Sequence, residues 1–430
     1  MKRARAVAIA LGLLVLMLAL VASGCGKKKK SASKSGGNGS SKVLDPSKAD
    51  NAKGNVTWCI GKDTTGAFAQ VVSMHNSQSN GVTAKLVELP TSADAQREQQ
   101  TQRLRAKSPE CDVLGIDVIW TAEYASQGWV YDLSKAIAKR KGDFIQSTVD
   151  SGDYQGKNWA IPFNTNAGFL YYRKDKVPTA PTTWQQVYEE ARAKGGLVYQ
   201  SAQYEGLTVN FLELFYSAGG KVLSDDGKKA AINSQEAEKA LELMRDGYKN
   251  GAVPKANLTY MEEESRRAFE AGKPAFMRNW PYAYGLGLKS PIKGKFAITT
   301  LPGFDNNKGS GVLGGYNLAI NAYSKNPGAA LEFANFITSD EPQKIMAAKA
   351  SLPPTVSATY DDPAVKTAMP FAAELRTAVE QAQPRPVSPV YTQISEAIYK
   401  NVYAVLAGRS TPEKARAAME KQINEALATF

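Results

Sequence analysis

Val56-Thr57-Trp58-Cys59-Ile60 and Cys111-Asp112-Val113-Leu114-Gly115-Ile116 are short apolar segments, and what lies between them decides the fold. Runs of this length, rich in β-branched residues and bounded by polar ones, read as buried strands. Outward from the first, residues 67–79 read as a helix with Ala67, Val71, Val72 and His75 on one face. Residues 82–89 alternate through Val82, Ala84 and Leu86 and read as a second strand. Residues 94–107 form a polar helix behind Thr91 and Ser92. Strands alternating with helices at this spacing predict a parallel sheet in an α/β fold.

Later helices carry clear punctuation. Thr182 and Thr183 cap a helix over 184–193 that stops at Gly195-Gly196. Asn326-Pro327 opens a helix over 328–338, with proline in the first turn, where its missing N–H costs nothing. Thr411-Pro412 opens the last helix, striped by Ala415, Ala418, Met419, Ile423, Ala426 and Leu427. No tandem repeat is present. The roughly 375 residues after the N-terminal region exceed what one core usually supports, so two domains are expected.

The N-terminus sets the compartment. Lys2, Arg3 and Arg5 precede an apolar run over 6–21, and small residues lead into Ala22-Ser23-Gly24-Cys25. A basic start, a short apolar core and a small-residue cleavage site describe a signal peptide over residues 1–24. With Cys25 at the cleavage point, the segment resembles the lipobox of bacterial lipoproteins, in which that cysteine is acylated. Ala22 replaces the usual leucine. The alternative is an uncleaved anchor with an incidental cysteine. Residues 25–53 carry four consecutive lysines (27–30), then Ser, Gly, Asn and Lys, and read as a flexible tether.

That region also explains the formal net charge of +12. Three of the 53 basic residues lie in the leader and eight in the tether, against two of the 41 acids, which leaves a net of +3 from Gly54 onward. Nucleic-acid binding loses its main support, because the basic excess belongs to the anchor region. Cys59 and Cys111, an even pair in an exported chain, suggest a disulfide, with two reduced buried thiols as the alternative. With a single histidine, His75, they fall short of an ordinary zinc site, and no cofactor is implied.

Phosphate-binding glycine loops, HExxH and GxSxG are absent from the sequence. His75 reads as a packed or half-exposed helix residue. Glu262-Glu263-Glu264 offers carboxylates for glycoside hydrolysis or, more simply, a solvated helix face. Binding chemistry is better represented. A sugar presents hydroxyls that donate and accept hydrogen bonds and an apolar C–H face. Carboxylates, amides, arginine and aromatic rings suit it. Asp117 and Trp120 follow a buried strand, where ligands sit in open α/β sheets. Asn164-Thr165-Asn166, Asn279-Trp280-Pro281-Tyr282, Gly314-Gly315-Tyr316-Asn317 and Arg385 between two prolines supply the rest.

These residues carry a family resemblance. From Gly54 to Phe430 the chain resembles the trehalose/maltose-binding branch of the extracellular solute-binding proteins that serve ABC importers. The match is densest at Asp117-Val118-Ile119-Trp120, at 168–175, at Gln203-Tyr204-Glu205-Gly206, at Arg278-Asn279-Trp280-Pro281-Tyr282-Ala283 and at Pro384-Arg385-Pro386-Val387. The resemblance implies a periplasmic-binding-protein-like α/β fold of two lobes, joined by three crossovers near Asn166, Tyr316 with Asn317, and 381–383. One lobe would hold 54–165 plus 318–380, the other 166–317 plus 381–430. It implies a ligand cleft between the lobes that closes on an α-glucosidic disaccharide, trehalose first and maltose second. Asp117 and Arg97 would bind one glucosyl unit, Trp280 would stack, and Gly315 and Tyr316 would line a second subsite. Glu262 (or Glu263) would accept from hydroxyls, and Arg385 would clamp from the far lobe. Asn164 and Asn166 depart from that branch, where Tyr and Asp occur. The implied partners are a permease and its ATPase, with the lipid-anchored, monomeric chain on the outer face of the cell membrane. The competing readings are a binder of another oligosaccharide or glucosylated solute, an exported glycoside hydrolase, and a surface adhesin.

Overall fold

The computed structural model describes residues 42–79 and 81–429; the leader, Cys25 and the start of the tether lie outside the described residues. In chain order the strands are β1 (Gly54–Gly61), β2 (Val82–Leu89), β3 (Val113–Asp117), β4 (Asp153–Tyr154), β5 (Lys157–Asn158) and β6 (Ile161–Asn166). They continue as β7 (Phe169–Arg173), β8 (Leu197–Val198), β9 (Phe276–Asn279), β10 (Phe296–Thr300) and β11 (Gly314–Ile320). One sheet runs β2-β1-β3-β11-β6 and a second β10-β7-β9-β8, while β4 and β5 make a small hairpin. β1 is parallel to both β2 and β3, as the opening segments predict, and the intervening helices are Ala67–Gln78 and Ala93–Arg105.

Each sheet has its own core. Around the first, Trp58 packs against Phe68 and Phe163 with ring centroids 5.0 and 5.4 Å away, and Phe333 of the helix Pro327–Ile337 closes the cluster. Each such side chain contributes about 1.5–3 kcal/mol by leaving water. His75 is part of this packing, edge-on to Phe333 and Phe336, with Nε2 2.9 Å from a Glu332 carboxylate oxygen. Behind the second sheet the helix Glu205–Ser217 is buried along its whole length. The helices Gln235–Lys249 and Tyr391–Leu406 pack on it. Pro412–Leu427 follows with Ala415, Met419, Ile423 and Ala426 inward and the Thr411 side chain capping Lys414 N–H.

Three expected boundaries are corrected. The tether does not extend to residue 53: Leu44 is buried, its N–H donates to the Asp132 carbonyl at 3.0 Å, and the turn of helix Pro46–Ala49 lies on Pro327–Ile337. Leu44 is an apolar side chain in a polar stretch, and burying it holds the strap down. Tyr316 and Asn317 are not a crossover; they lie within β11, paired with Asp117 and Ile116 of β3. The chain leaves the first sheet between β6 and β7 and returns in the segment 301–313. Residues 363–381 do not belong to the first lobe alone. The helix Ala372–Gln381 packs on β10, and Phe371 meets Phe169 and Tyr284 edge-on. At the remaining passage, Gln383 pairs with 311–313: its N–H donates to the Gly311 carbonyl, and its own carbonyl accepts the Leu313 N–H, both at 2.9 Å.

Cys59 in β1 and Cys111 just before β3 form a disulfide across neighbouring strands, 52 residues apart in sequence. Closing a loop of that length removes entropy from the unfolded chain. C59A/C111A should therefore unfold at lower urea, with stability reduced by about 3–4 kcal/mol. An unchanged midpoint would mean that the bond does not restrain the unfolded chain.

Asp94, in the first turn of Ala93–Arg105, lies close to the start of Glu205–Ser217, which packs on that helix. Burial, reinforced by the Glu205 charge, raises its carboxyl from 3.8 to about 7. A pKa raised on folding adds stability that is complete below the unfolded value and is lost as pH rises from about 4 through about 7. D94N should remove that dependence and gain on the wild type between about pH 5 and about pH 8 in urea titrations. Parallel pH profiles would refute the assignment.

Candidate ligand cleft

A cavity of about 500 Å³ opens between the two sheets. That is the size of a small-molecule site. Its walls come from strand ends and helix starts, where backbone groups and short loops leave room for side chains to converge. Asp117 ends β3 and accepts the Ile119 N–H at 3.2 Å. Asn164 and Asn166 lie on β6, and Gly314, Gly315 and Tyr316 lie opposite them on β11. Gly315 has φ +127°, and a Cβ there would overlap the Asn164 carbonyl oxygen, so the close approach of the two strands requires glycine. The Asn164 amide oxygen accepts the Tyr316 N–H at 3.2 Å, while the Asn166 amide oxygen is buried without a partner. The Tyr316 hydroxyl donates to Gln96 at 2.9 Å.

The other wall is built from the second sheet. Trp280 follows β9, and Glu262 opens the helix Glu262–Glu270. Glu262 accepts from the Tyr204 hydroxyl at 2.7 Å, and burial pushes its carboxyl above the ordinary value. Glu263 behaves differently. Burial works against its charge, but Arg266 and the Tyr282 hydroxyl outweigh it and hold the carboxyl low. Glu264 accepts from the Met261 N–H at 3.2 Å and pairs with Arg267. The acidic run is thus an anchored helix start, not a free solvated face.

Arg385 joins the two walls. Its guanidinium donates to Asp117 and to Glu205, each at 2.8 Å, and is almost fully buried. Burial opposes its charge, yet Asp117, Tyr391 and Glu205 raise its pKa. Glu205 also accepts from the Tyr391 and Ser395 hydroxyls, and burial raises its carboxyl.

Asp117, Asn164, Asn166, Glu262, Trp280, Gly315, Tyr316 and Arg385 therefore line one cavity. Arg97 does not join them. Its guanidinium is engaged by the Glu123 carboxylate, with Nε 2.7 Å from an oxygen, and it borders a separate cavity with Arg105, Trp129 and Gln393. One residue earlier, Gln96 faces the cleft instead, because a one-residue step turns a helical side chain by about 100°. Sequence reasoning also missed Tyr204 and Glu205 as lining residues, whereas Tyr282, singled out beside Trp280, does line the cavity. Gln203-Tyr204-Glu205-Gly206 stood out in the resemblance, but no spacing rule assigns a buried carboxylate to a binding wall. Among the described residues no cluster of His, Cys, Asp and Glu could hold a metal ion.

Known proteins share this fold. Residues 61–344 match the family model of the bacterial extracellular solute-binding proteins. A probable ABC transporter-binding protein of Deinococcus radiodurans is 38% identical over 370 residues, covering 81% of this chain and 87% of the relative. Maltose-bound MalE3 of T. maritima superimposes with a TM-score of 0.83 at 36% identity, covering 86% of this chain and 99% of that one. The GacH receptor of Streptomyces glaucescens, at 22% identity and a TM-score of 0.79 over 88% of this chain and 99% of its own, shares the fold. The family model and these relatives make the chain a member of the bacterial extracellular solute-binding protein family.

Proposed function

We propose that the protein captures a neutral sugar in this cleft, an α-glucosidic disaccharide with trehalose first and maltose second, and delivers it to the permease of an ABC importer. The observation that carries the reading is the lining itself. The buried carboxylates of Asp117 and Glu205, the half-buried one of Glu262 and the amides of Gln96, Asn164 and Asn166 line the cavity with the rings of Trp280 and Tyr316. Such a wall is rich in acceptors for hydroxyl donors and hostile to anions, and its rings suit an apolar C–H face. The chain's 36% identity to a maltose-bound structure supports the ligand class. A mannitol-binding protein of Pseudomonas aeruginosa, 25% identical over 76% of this chain and 82% of its own, makes a polyol the second reading.

Binding follows from the geometry without covalent chemistry. Asp117 and Tyr316 lie on the first sheet, whereas Trp280 follows β9 of the second and Glu262 opens the helix packed on β9, so a ligand that touches both sides favours the closed arrangement by its differential affinity. Asp117, Asn164, Asn166, Glu262, Trp280, Gly315, Tyr316 and Arg385 are the proposed contacts. Acylation at Cys25 would hold the protein at the outer face of the membrane.

A thermal-shift panel of trehalose, maltose, sucrose, glucose and mannitol tests the reading. A ligand at 100 times its Kd adds about 2.7 kcal/mol. A shift with mannitol alone would favour the polyol, no shift would remove the carbohydrate assignment, and steady glucose release from trehalose would establish a hydrolase instead. Asp117→Ala and Trp280→Ala should each weaken sugar binding by about tenfold or more while the protein stays folded. For the anchor, Cys25→Ser should move the expressed protein from the detergent-soluble membrane fraction to the aqueous one; retention at the membrane would rule out acylation there.

A further inference from the structure

The geometry points to Arg278 as a positioning residue for ligand binding, one that backs the Trp280 ring and holds it as a fixed platform. The inference rests on the stacking role proposed for Trp280. Arg278 lies on β9 with its side chain 1% exposed, and its Cζ sits 4.0 Å from the centroid of the Trp280 ring. The ring is held on other sides as well. Its rim lies against Gly314, where a Cβ would come within 3.2 Å. The Trp280 carbonyl accepts from the Tyr171 hydroxyl at 2.7 Å, and its N–H donates to the Asn279 side chain at 2.8 Å. Trp280 lines the cavity and Arg278 does not.

The guanidinium is itself pinned in plane. Nε donates to Glu213 at 2.7 Å, Nη2 pairs with the other Glu213 oxygen, and Nη1 donates to Gln200 at 3.0 Å. Gln200 is fixed in turn by Asn210 at 3.1 Å and Ser265 at 2.8 Å. Gly168 leaves room for the pair: a Cβ there would overlap both Glu213 and Arg278. Glu213 could be neutralised by any cation in this pocket. Only a planar guanidinium can do so and also lie flat on an indole face. A platform fixed before the ligand arrives spares the complex the cost of ordering a large side chain.

R278K keeps the charge and loses the flat contact, and R278M/E213Q removes both charges together without stranding a buried carboxylate. Each should weaken binding of the sugar identified in the panel by about fivefold. In a W280L background the same substitutions should cost less than about twofold, because the partner through which Arg278 acts is gone. Fluorine NMR of protein labelled with 5-fluorotryptophan gives a readout independent of binding. Of the six tryptophan resonances, the one absent in W280L should broaden in R278K while the other five stay sharp. Additive losses in the W280L background, wild-type affinity in both variants, or broadening of all six resonances would overturn the inference. If no sugar binds the wild type, the function proposed above fails, and the fluorine spectrum still decides whether Arg278 holds Trp280.

Discussion

The guanidinium of Arg385 is the interaction on which the arrangement of the cleft depends. Asp117 at the end of β3 and Glu205 at the start of a helix behind the second sheet are far apart in sequence, and both are held by one buried cation. Removing one partner of such a group leaves an uncompensated charge in a low-dielectric interior, a penalty of roughly 3–5 kcal/mol. The two sheets therefore meet at a defined place, and the segment that carries Arg385 must run between them. Pairing of Gln383 with 311–313 supplies that path.

A second buried arginine does comparable work within one lobe. Arg278 and Glu213 neutralise each other under the second sheet, and Gln200, Asn210 and Ser265 satisfy the neighbouring polar atoms. Arg385 lines the cavity itself beside Asp117, whereas Arg278 lies against Trp280 and outside the lining. Charge pairs at the cavity wall and just behind it thus add rigidity, because they have a single good geometry where apolar packing tolerates more than one. The disulfide adds to this by binding β1 to the stretch leading into β3, whose ends reach the same cavity.

Much of the fold was legible before any coordinates. Val56-Thr57-Trp58-Cys59-Ile60 and the segments after it have the period and spacing of a parallel sheet, and β1, β2 and β3 form one. Thr183 and Thr411 mark helix starts by accepting backbone N–H groups, and Pro327 by its fixed φ and missing N–H, none of which needs tertiary context. The boundaries that moved were those where distant packing decides. Leu44 turned part of a polar tether into a strap, and Phe371, Leu375 and Ala378 drew the stretch before Gln381 into a core shared with the second sheet. Tyr316 and Asn317 looked like a crossover because glycines precede them; those glycines instead let β11 run close beside β6.

For the cavity, residue types and motif positions pointed to Asp117, Trp280, Tyr316 and Arg385, since carboxylate, aromatic and guanidinium groups at strand ends and beside prolines are read directly from the sequence. Composition alone likewise located most of the basic excess in the first 53 residues. Which neighbour each group meets was decided only by the tertiary structure. Arg97 and Gln96 are adjacent in sequence, yet helical rotation sends one to Glu123 and the other to the cleft. Glu205 and Arg278 became visible only when segments far apart in the chain were brought within hydrogen-bonding distance. Local chemistry is written residue by residue, but compensation of a buried charge depends on what the fold places beside it.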